Sequence, residues 1–316
     1  MQEQIAIIGA GVSGLTCAVL FAERGYRVQI LAEETGPRIT SAAAGAIWFP
    51  YDAEPVDAVI AWSLETFAVL QDLSGRQGSG VSMLELRHFS RRGEIEIPVW
   101  AISLGAHKLD PAATPHCFTS GFSLTVPLTD TTIYLGYLAE RFRRAGGAIR
   151  SSLRFDHLEE VSDEYSTVIN CSGVGAKTLV PDPAVEPHRG QVVLVSGIAQ
   201  SHAVVCDDPP LMYAIPRAGD CVLGGTNELS SNRTPDPATT SAIVAECSRV
   251  LEIESPKILG ERVGLRPFRR GGICLRADRL RDGRRVLHNY GHGGSGFTLS
   301  WGCARAVFDL IRHSSL

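Results

Sequence analysis

The sequence predicts an α/β protein in which a Rossmann-like nucleotide-binding domain is interleaved with a sheet-rich second domain. Three observations predict this arrangement. A strand, a glycine-rich loop, a helix and a second strand follow one another within the first 34 residues, short β-like runs alternate with turns between residues 82 and 126, and a helix-then-strand pattern returns from Thr131. The nucleotide-binding domain therefore begins the chain, is interrupted, and then resumes.

The composition is that of a globular protein. The chain has 316 residues, of which 44% are hydrophobic and 20% are charged, so it can bury a large core and is not disordered. The 30 basic residues stand against 34 acidic ones, a formal charge of −4, and no long block of one sign occurs. This balance implies no nucleic-acid surface. The length fits one large domain or two interleaved ones and predicts nothing about oligomeric state.

Neither a membrane segment nor a metal site is indicated. The longest apolar runs, such as residues 15–22, fall short of the ~18 residues needed to cross a bilayer, and strand-like sequence from Gln4 leaves no room for a signal peptide. The eight cysteines include no C-x-x-C pair, which favours reduced thiols over disulfides or a zinc site. The chain ends Ser314-Ser315-Leu316, which lacks the basic middle residue of the S-K-L peroxisomal signal. We therefore expect a cytoplasmic protein that contacts no membrane, with the peroxisome as the alternative in a eukaryote.

The first 34 residues predict a dinucleotide site. Residues 4–8 form an apolar, β-branched run, residues 13–24 suit a helix, and residues 27–31 suit a second strand. Between the first strand and the helix lies the G-x-G-x-x-G fingerprint, formed by Gly9, Ala10, Gly11, Val12, Ser13 and Gly14.

Each glycine of this fingerprint has a physical role, and an acidic residue completes the pattern. Gly9 permits the tight turn, Gly11 lets a pyrophosphate approach the backbone, and Gly14 lets the helix and strand pack closely. The N-terminus of the helix faces the phosphates. Glu33, 19 residues after Gly14, can accept the hydroxyl protons of a ribose. Because a carboxylate disfavours a 2′-phosphate, the pattern favours FAD or NAD over NADP.

The run from Thr40 to Tyr51 is a second candidate contact. Small residues in this run precede a tryptophan and end in a Pro-Tyr pair, which is unusual for a plain linker. Since small side chains allow close approach, one interpretation is a segment that lies against a flat cofactor. The other is a turn or the start of a core helix.

The remaining elements divide between the two domains. Helices are predicted at residues 56–73, 131–144 and 241–251, strands at residues 167–171 and 191–195, and a hairpin at residues 212–225. The predicted boundaries assign residues 1–51, 129–190 and 260–316 to the nucleotide-binding domain, and residues 52–128 and 191–259 to the second domain.

The last strand-to-helix turn is also rich in glycine. A strand at residues 286–289 leads into a loop with four glycines between residues 291 and 296, and a helix follows from Thr298. The backbone of such a loop can contact a planar group, and the amides that open the helix can donate to a negative ring edge such as flavin N1 and O2. A flexible loop that precedes a helix is the alternative interpretation.

Together these motifs resemble the D-amino acid oxidase family of FAD enzymes. The resemblance covers most of the chain and is weak between about residues 75 and 125. It is carried by the segments Ile7–Leu15, Ala43–Pro50, Val168–Gly173, Arg189–Gln191, Gly264–Pro267 and, most specifically, His288–Ala304. The resemblance implies a fold in which an FAD-binding domain and a substrate domain interleave.

The resemblance also implies oxidative deamination. In the family a D-amino acid becomes an imino acid, which hydrolyses to a 2-oxo acid and ammonia, while O₂ reoxidises the flavin and yields hydrogen peroxide. Direct hydride transfer to flavin N5 needs no protein base, so His288 and His292 are expected to be structural. The same fold could instead oxidise glycine, a cyclic imino acid or an amine of a specialised pathway, or serve as a flavin-binding scaffold.

Three residues match the family's substrate-binding positions. Arg266 matches the arginine that binds the substrate carboxylate, a role suited to a planar guanidinium fork. Tyr213 matches the tyrosine that donates its hydroxyl to the same carboxylate, and the carbonyl of Gly294 matches the group that holds the amino nitrogen. Without the resemblance, Arg266 would be assigned to a solvated basic turn and Tyr213 to the core.

The resemblance extends the set of expected FAD contacts beyond the fingerprint and Glu33. The further contacts are Glu34, Ala44, Gly45, Ala46, Phe155, Gly293, Gly294, Ser295, Gly296, Phe297 and Thr298.

Three positions depart from the family's pattern. The lid tyrosine of animal members falls near Pro209, so the lid is expected to be short or absent. Ser295 replaces an aromatic residue, which would widen the pocket. Asn227, followed by Glu228, stands where members with acidic substrates place an arginine, and it cannot neutralise a second carboxylate. We therefore expect neutral D-amino acids as substrates.

Overall fold

The computed structural model describes residues 3–51, 53–196 and 198–313, so the C-terminal Ser314-Ser315-Leu316 lies outside the described residues. The described chain contains the following strands: β1 (Gln4–Ile8), β2 (Arg27–Leu31), β3 (Val81–Ser90), β4 (His107–Lys108), β5 (Ser120–Thr129), β6 (Ala148–Arg150), β7 (Thr167–Asn170), β8 (Val185–Ser196), β9 (Ala203–Cys206), β10 (Met212–Pro216), β11 (Cys221–Gly224), β12 (Glu228–Leu229), β13 (Lys257–Arg269), β14 (Cys274–Arg279) and β15 (Arg285–Tyr290). The α-helices are α1 (Val12–Ala22), α2 (Val56–Ser74), α3 (Val99–Ser103), α4 (Thr131–Arg144), α5 (Ala176–Leu179), α6 (Pro237–Leu251) and α7 (Gly296–His313).

One sheet has six strands and is mostly parallel. Its order is β14-β15-β7-β1-β2-β6, and only β14 and β15 pair in the antiparallel sense. β1 lies between β2 and β7, and its residues 5–8 are buried. A strand covered on both faces is apolar throughout rather than alternating, which is why the first apolar run predicts a central strand.

Helices α1, α4 and α7 pack together beside this sheet. α1 contacts both α4 and α7, and the hydroxyl of Tyr134 on α4 accepts a hydrogen bond from the indole of Trp301 on α7 at 2.9 Å. Both of these aromatic side chains are buried. The packing ties the N-terminal and C-terminal segments of the chain to the same sheet, so both glycine loops approach the same region.

The second sheet has nine strands. Its order is β12-β8-β11-β10-β9-β3-β5-β4, and β13 pairs with β8. The predicted hairpin is β10 paired with β11. Across the middle of the sheet His88 pairs with Val205, Val205 with Tyr213, and Tyr213 with Gly224. Paired residues on adjacent strands project to the same face, so these four positions form one row.

The predicted strands at residues 4–8 and 27–31 and the predicted helix at 131–144 coincide with β1, β2 and α4. Helix α6 instead begins at Pro237, ahead of the predicted 241. The Asp236 carboxylate accepts a hydrogen bond from the amide of Thr239 at 2.9 Å, and proline occupies the first turn. An aspartate cap followed by proline is a normal helix start, and it adds one turn.

Strands β8 and β13 differ most from the sequence-based expectation. β8 is longer than the predicted 191–195, and Arg266 lies on strand β13 rather than in the solvated basic turn that the local sequence alone would indicate. The two strands pair along almost their whole length. The domain boundaries predicted at residues 190 and 260 fall inside these strands. A division that follows the sheets would place residues 185–196 and 257–269 with the nine-stranded sheet, while the interleaved division itself stays a prediction.

Three further observations concern the chain as a whole. None of the helices in the described ranges is long and apolar enough to cross a membrane. All eight cysteines are free thiols, and all but Cys117 are buried. Within residues 3–51, 53–196 and 198–313, no group of three or more His, Cys, Asp or Glu side chains is placed to hold a metal ion.

Candidate active site

A cavity of about 520 Å³ is lined by residues from both sheets. We call the part formed by residues 9–13, Glu33 and Glu34 the nucleotide end, and the part formed by Tyr213, Arg266 and Gly294 the substrate end. The expected site residues that line the cavity are Gly9, Ala10, Gly11, Val12, Ser13, Glu33, Glu34, Ala44, Gly45, Ala46, Phe155, Tyr213, Arg266, Gly293, Gly294, Gly296, Phe297 and Thr298.

Gly9 and Gly14 shape the turn at the nucleotide end. Gly9 has a φ of +108°, in the region that favours glycine, and a Cβ atom there would lie 2.5 Å from the carbonyl oxygen of Cys171. A Cβ atom on Gly14 would lie 2.0 Å from the carbonyl oxygen of Gly9. Gly14 does not itself line the cavity. It allows α1 to start directly against the turn, which brings the helix N-terminus to the cavity wall.

Two helix N-termini border the cavity. α1 begins at Val12 and α7 begins at Gly296, and neither has an acidic residue in its first turn. The first amides of a helix have no acceptor within the helix, and the helix dipole makes this end positive. At α1, the hydroxyl of Ser41 accepts the Val12 amide at 3.0 Å. The cavity thus offers two separate positive regions, which suits the pyrophosphate and the electron-rich ring edge of FAD.

The nucleotide end carries two acidic side chains, each with an arginine. Oε1 of Glu33 lies 3.7 Å from Nη1 of Arg154, and both side chains are largely exposed. The carboxylate of Glu34 accepts hydrogen bonds from Nη1 of Arg233 at 3.0 and 3.1 Å. Glu33 therefore remains accessible to a ribose, while Glu34 holds an arginine from the loop before α6. Both arginines line the cavity, and sequence reasoning missed them.

The run from Thr40 to Tyr51 contains both a turn and a segment that lies along the cavity. Its first part is a 3₁₀ turn at Thr40–Ala43, and residues 43–47 then line the cavity. Trp48 is buried in the core. The hydroxyl of Thr298 accepts from the amide of Phe49 at 3.2 Å and donates to its carbonyl at 3.1 Å. The segment is therefore anchored to the start of α7.

Arg266 lies on β13 at the substrate end. Its Nη1 donates to the carbonyl of Thr226 at 2.7 Å. A Cβ atom on Gly190, in the neighbouring strand β8, would lie 2.4 Å from Nη1 of Arg266. The guanidinium therefore occupies the space that a side chain at residue 190 would fill, and Thr226 fixes one of its nitrogens.

Tyr213 stands beside Arg266 in a space made by two other glycines. Cβ atoms on Gly224 and Gly225 would lie 2.0 and 2.6 Å from the Tyr213 ring. Burial raises the pKa of Tyr213, although the positive charge of the adjacent Arg266 partly opposes that rise. The phenol therefore stays protonated at neutral pH and can donate to a carboxylate. Sequence reasoning missed Gly190, Gly224 and Gly225.

The glycine loop before α7 supplies Gly294 and positions Tyr51. A Cβ atom on Gly294 would lie 3.1 Å from Cδ1 of Tyr51 and 3.7 Å from Cδ of Arg266. The hydroxyl of Ser295 accepts the amide of Tyr51 at 3.0 Å and donates to its carbonyl. Ser295 is not among the residues that line the cavity. The Ser295 side chain is therefore held by the Tyr51 backbone, while its expected contact with the cofactor and a wider pocket stay predictions.

The two histidines near this loop are buried and uncharged. Burial lowers the pKa of both His288 and His292 to about 4. Nε2 of His292 lies 3.0 Å from Oδ1 of Asn289, and Nδ1 of His288 lies 3.3 Å from Nδ2 of Asn170. These side-chain hydrogen bonds are consistent with the structural role expected for both histidines.

The substrate end contains one cation among the described residues. Arg217, in the hairpin turn, is buried, lies 2.7 Å from Asp220 and 3.6 Å from Asp130, and does not line the cavity. Asn227 lines the cavity, and its Oδ1 lies 3.2 Å from Nδ1 of His188. The cation at this end is therefore Arg266, which matches a ligand with one carboxylate.

Residues 207–211, where the resemblance predicts a short or absent lid, connect β9 to β10. Asp207 and Leu211 from this connection line the cavity, and Pro209 does not. The connection is too short to form a separate structured lid. The substrate end is therefore bordered by a turn.

Comparison with known proteins relates this chain to FAD-dependent oxidoreductases by sequence and by fold. A family model described as FAD dependent oxidoreductase matches residues 4–310. A D-amino-acid oxidase of Rubrobacter xylanophilus is 40% identical over 310 residues, which cover 96% of this chain and 94% of the relative. A D-aspartate oxidase of Homo sapiens is 32% identical over 98% of this chain and 94% of the relative. The crystal structure of a glycine oxidase from Geobacillus kaustophilus has a TM-score of 0.83 at 18% identity, covering all of this chain and 96% of that one, which shows a shared fold.

Proposed function

This chain belongs to the family of FAD-dependent oxidoreductases whose model it matches, and from that membership we propose that it is a D-amino acid oxidase. The reaction converts a D-amino acid, O₂ and water into a 2-oxo acid, ammonia and hydrogen peroxide. The observation that carries the proposal is the pairing of Arg266 with Tyr213 in a cavity that also presents two glycine loops at helix N-termini.

The residues of the nucleotide end fit FAD. The backbone of residues 9–13 would hold the pyrophosphate, Glu33 the ribose, and the first turn of α7 the ring edge that becomes negative on reduction. When bound, FAD supplies the two-electron acceptor for the substrate and passes the electrons on to O₂. We propose that FAD is held without a covalent bond.

The chain's own residues bind and orient the substrate. Arg266 and the Tyr213 hydroxyl hold the α-carboxylate, and the carbonyl of Gly294 accepts a hydrogen bond from the amino group. These two fixed substituents, together with the face on which the flavin would lie as a third reference, determine which enantiomer presents its α-hydrogen for transfer. His292 lines the cavity but is buried and hydrogen-bonded to Asn289, so it is not assigned as a base.

Anaerobic mixing with amino acids tests the proposal. FAD-loaded protein is mixed with D-alanine, D-valine, their L enantiomers and glycine, and loss of the yellow flavin absorbance is followed. We expect bleaching with the D enantiomers, and peroxide formation once O₂ is admitted. Bleaching by glycine alone would reassign the substrate, and an unchanged spectrum with every compound would refute oxidase activity on amino acids.

Glu33→Ala is expected to weaken FAD binding by about tenfold while leaving kcat at saturating FAD close to the wild-type value. A hydrogen bond to a charged group contributes ~1.5–3 kcal/mol when buried, and less when the group is exposed as Glu33 is. Titration of the apoprotein with FAD, followed by flavin fluorescence, measures the change. Glu159→Ala, on the surface outside the cavity, is the matched control. A lower kcat at saturating FAD would show that Glu33 affects the reaction as well as the binding of FAD.

D-aspartate and D-glutamate are expected to be poor substrates. A second carboxylate would have to be desolvated without a positive partner, which costs several kcal/mol. Arg217 is already paired, and Glu228 lies outside the cavity beside Arg189. We expect kcat/KM for D-valine to exceed that for D-aspartate by at least roughly tenfold, equivalent to ~1.4 kcal/mol. A preference for D-aspartate in steady-state assays would reveal a cation at this end that the structure does not place there.

A further inference from the structure

A carboxylate, Asp207, lies at the rim of the substrate end. Tyr213, Val205 and His88 form one row across β10, β9 and β3. Asp207 follows Val205 by two residues, which returns the chain to the same face, and both residues line the cavity. Val205 is the direct cross-strand partner of Tyr213, so Asp207 is its diagonal neighbour, at a spacing of about 7–8 Å from the tyrosine proposed to hold the substrate carboxylate.

His88 contacts this carboxylate. Nε2 of His88 lies 3.2 Å from Oδ2 of Asp207. The imidazole packs against Phe49 and Phe122, with ring centroids 5.1 and 5.3 Å away, and its Nδ1 is buried without a hydrogen-bond partner in the described chain. The Nε2 edge of the imidazole therefore faces the Asp207 carboxylate, while the rest of the ring is packed among aromatic side chains.

The nearby arginines contact other groups. Arg91 and Arg92, which follow β3, contact Asp208 rather than Asp207: Arg91 donates to the backbone carbonyl of Asp208, and Arg92 lies 3.5 Å from its carboxylate. Arg266 is directed to the substrate carboxylate, and the two arginines at the nucleotide end are paired there. Within the described residues, the basic side chain that contacts the Asp207 carboxylate is His88, and no arginine or lysine pairs with it.

From this arrangement we propose that Asp207 favours D-amino acids with long cationic side chains, such as D-lysine and D-arginine, over neutral side chains of the same shape. The inference rests on the proposed function and adds one charged class to the neutral substrates. With the α-carboxylate on Arg266, a long aliphatic stem passes over Val205 and carries its cationic end to the rim. The stem contacts apolar wall while the charge stays near water.

The expected effect is moderate because Asp207 is partly exposed, with 36% of its side chain accessible. Exposed ion pairs contribute little, so we expect a D-arginine to D-citrulline ratio of kcat/KM of about twofold to fivefold. D-citrulline is the appropriate comparison because it has nearly the same shape as D-arginine and no charge. D-lysine and D-norleucine form a second, less exact pair, because norleucine lacks the charge and its side chain is one atom shorter.

The test measures these two ratios in the FAD-loaded wild type, in Asp207→Asn and in Asp163→Asn. Asp163 is an exposed aspartate that does not line the cavity, so its variant makes the same change in net charge without touching the site. We expect both ratios to fall to about one in Asp207→Asn, to stay high in Asp163→Asn, and to decrease with added salt in the wild type.

Different results separate this inference from the proposed function. Wild-type ratios at or below one, with clear turnover of D-citrulline or D-norleucine, would overturn the role of Asp207 while keeping the oxidase assignment. Equal ratios in the wild type and in an Asp207→Asn variant that retains FAD absorbance would do the same. If that variant does not fold, the wild-type protein still tests the inference: ratios at or below one, or ratios that do not decrease with added salt, would overturn it. The absence of turnover with every amino acid would instead overturn the proposed function.

Discussion

Replacing Arg266 by alanine is expected to lower kcat/KM for a neutral D-amino acid by between about 30-fold and a few thousand-fold. Truncating one partner of a buried, charge-assisted pair typically costs ~2–5 kcal/mol. Here the loss is compounded because the substrate carboxylate would remain in the cavity with only the Tyr213 hydroxyl as donor. Steady-state kinetics with D-valine, at saturating FAD, measure the effect, and both a higher KM and a lower kcat are expected.

Arg266→Lys tests whether a positive charge alone can replace the guanidinium group. Lysine supplies a charge without the planar fork that binds both carboxylate oxygens, and the Thr226 carbonyl would compete for its ammonium group. We therefore expect little rescue of kcat. Arg262→Lys, on the same strand and hydrogen-bonded to the Ala42 carbonyl, is the control for replacing an arginine of β13. Wild-type kinetics in either Arg266 variant would mean that the carboxylate is held elsewhere.

Gly190→Ala is expected to reduce kcat/KM by about 10- to 100-fold with little change in folding stability. The new methyl group would lie 2.4 Å from Nη1 of Arg266. The guanidinium is the free end of a flexible side chain, so it can move aside. A displacement of about 1 Å in a positioning group can cost on the order of 100-fold in rate. The measurements are the kinetics with D-valine and the thermal midpoint of the FAD-loaded protein.

Gly260→Ala provides the matched control for this prediction. Gly260 lies on β13, which pairs with the strand that carries Gly190, and a Cβ atom there meets nothing within 4 Å. We expect wild-type kinetics from it. A large drop in the thermal midpoint of Gly190→Ala would show that the strands move instead of the arginine. Unchanged kinetics would show that Arg266 tolerates displacement.

The sequence predicts the nucleotide end better than the substrate end, because the nucleotide end is built from consecutive residues. The turn at Gly9, the start of α1 and the carboxylate of Glu33 all follow from spacing within one βαβ unit. Arg266 and Tyr213 belong to different strands of the second sheet. Only the family resemblance, and no local pattern, connects them in the sequence.

Long-range strand pairing explains most of what sequence reasoning missed. Gly190 lies against Arg266 because β8 pairs with β13. Asp207 lies near both His88 and Tyr213 because β9 lies between β3 and β10. In the sequence Asp207 belongs to an Asp-Asp-Pro-Pro turn, for which a surface position is the ordinary interpretation. The direction of the Ser295 side chain was unpredictable for a related reason, since its partner, Tyr51, lies far away in the chain.

The three glycines around Arg266 and Tyr213 also bear on how the substrate range of such an enzyme can change through mutation. At Gly190, Gly224 and Gly225 an added Cβ atom collides with Arg266 or Tyr213, the two side chains that we propose hold the α-carboxylate. We therefore expect single substitutions there to impair turnover of every amino acid substrate. Leu211 and Asp207 line the same cavity outside that cluster, so drift at these two positions can exchange one side-chain preference for another. We therefore expect new side-chain preferences to arise by substitution at the rim, while the residues proposed to bind the amino acid backbone stay the same.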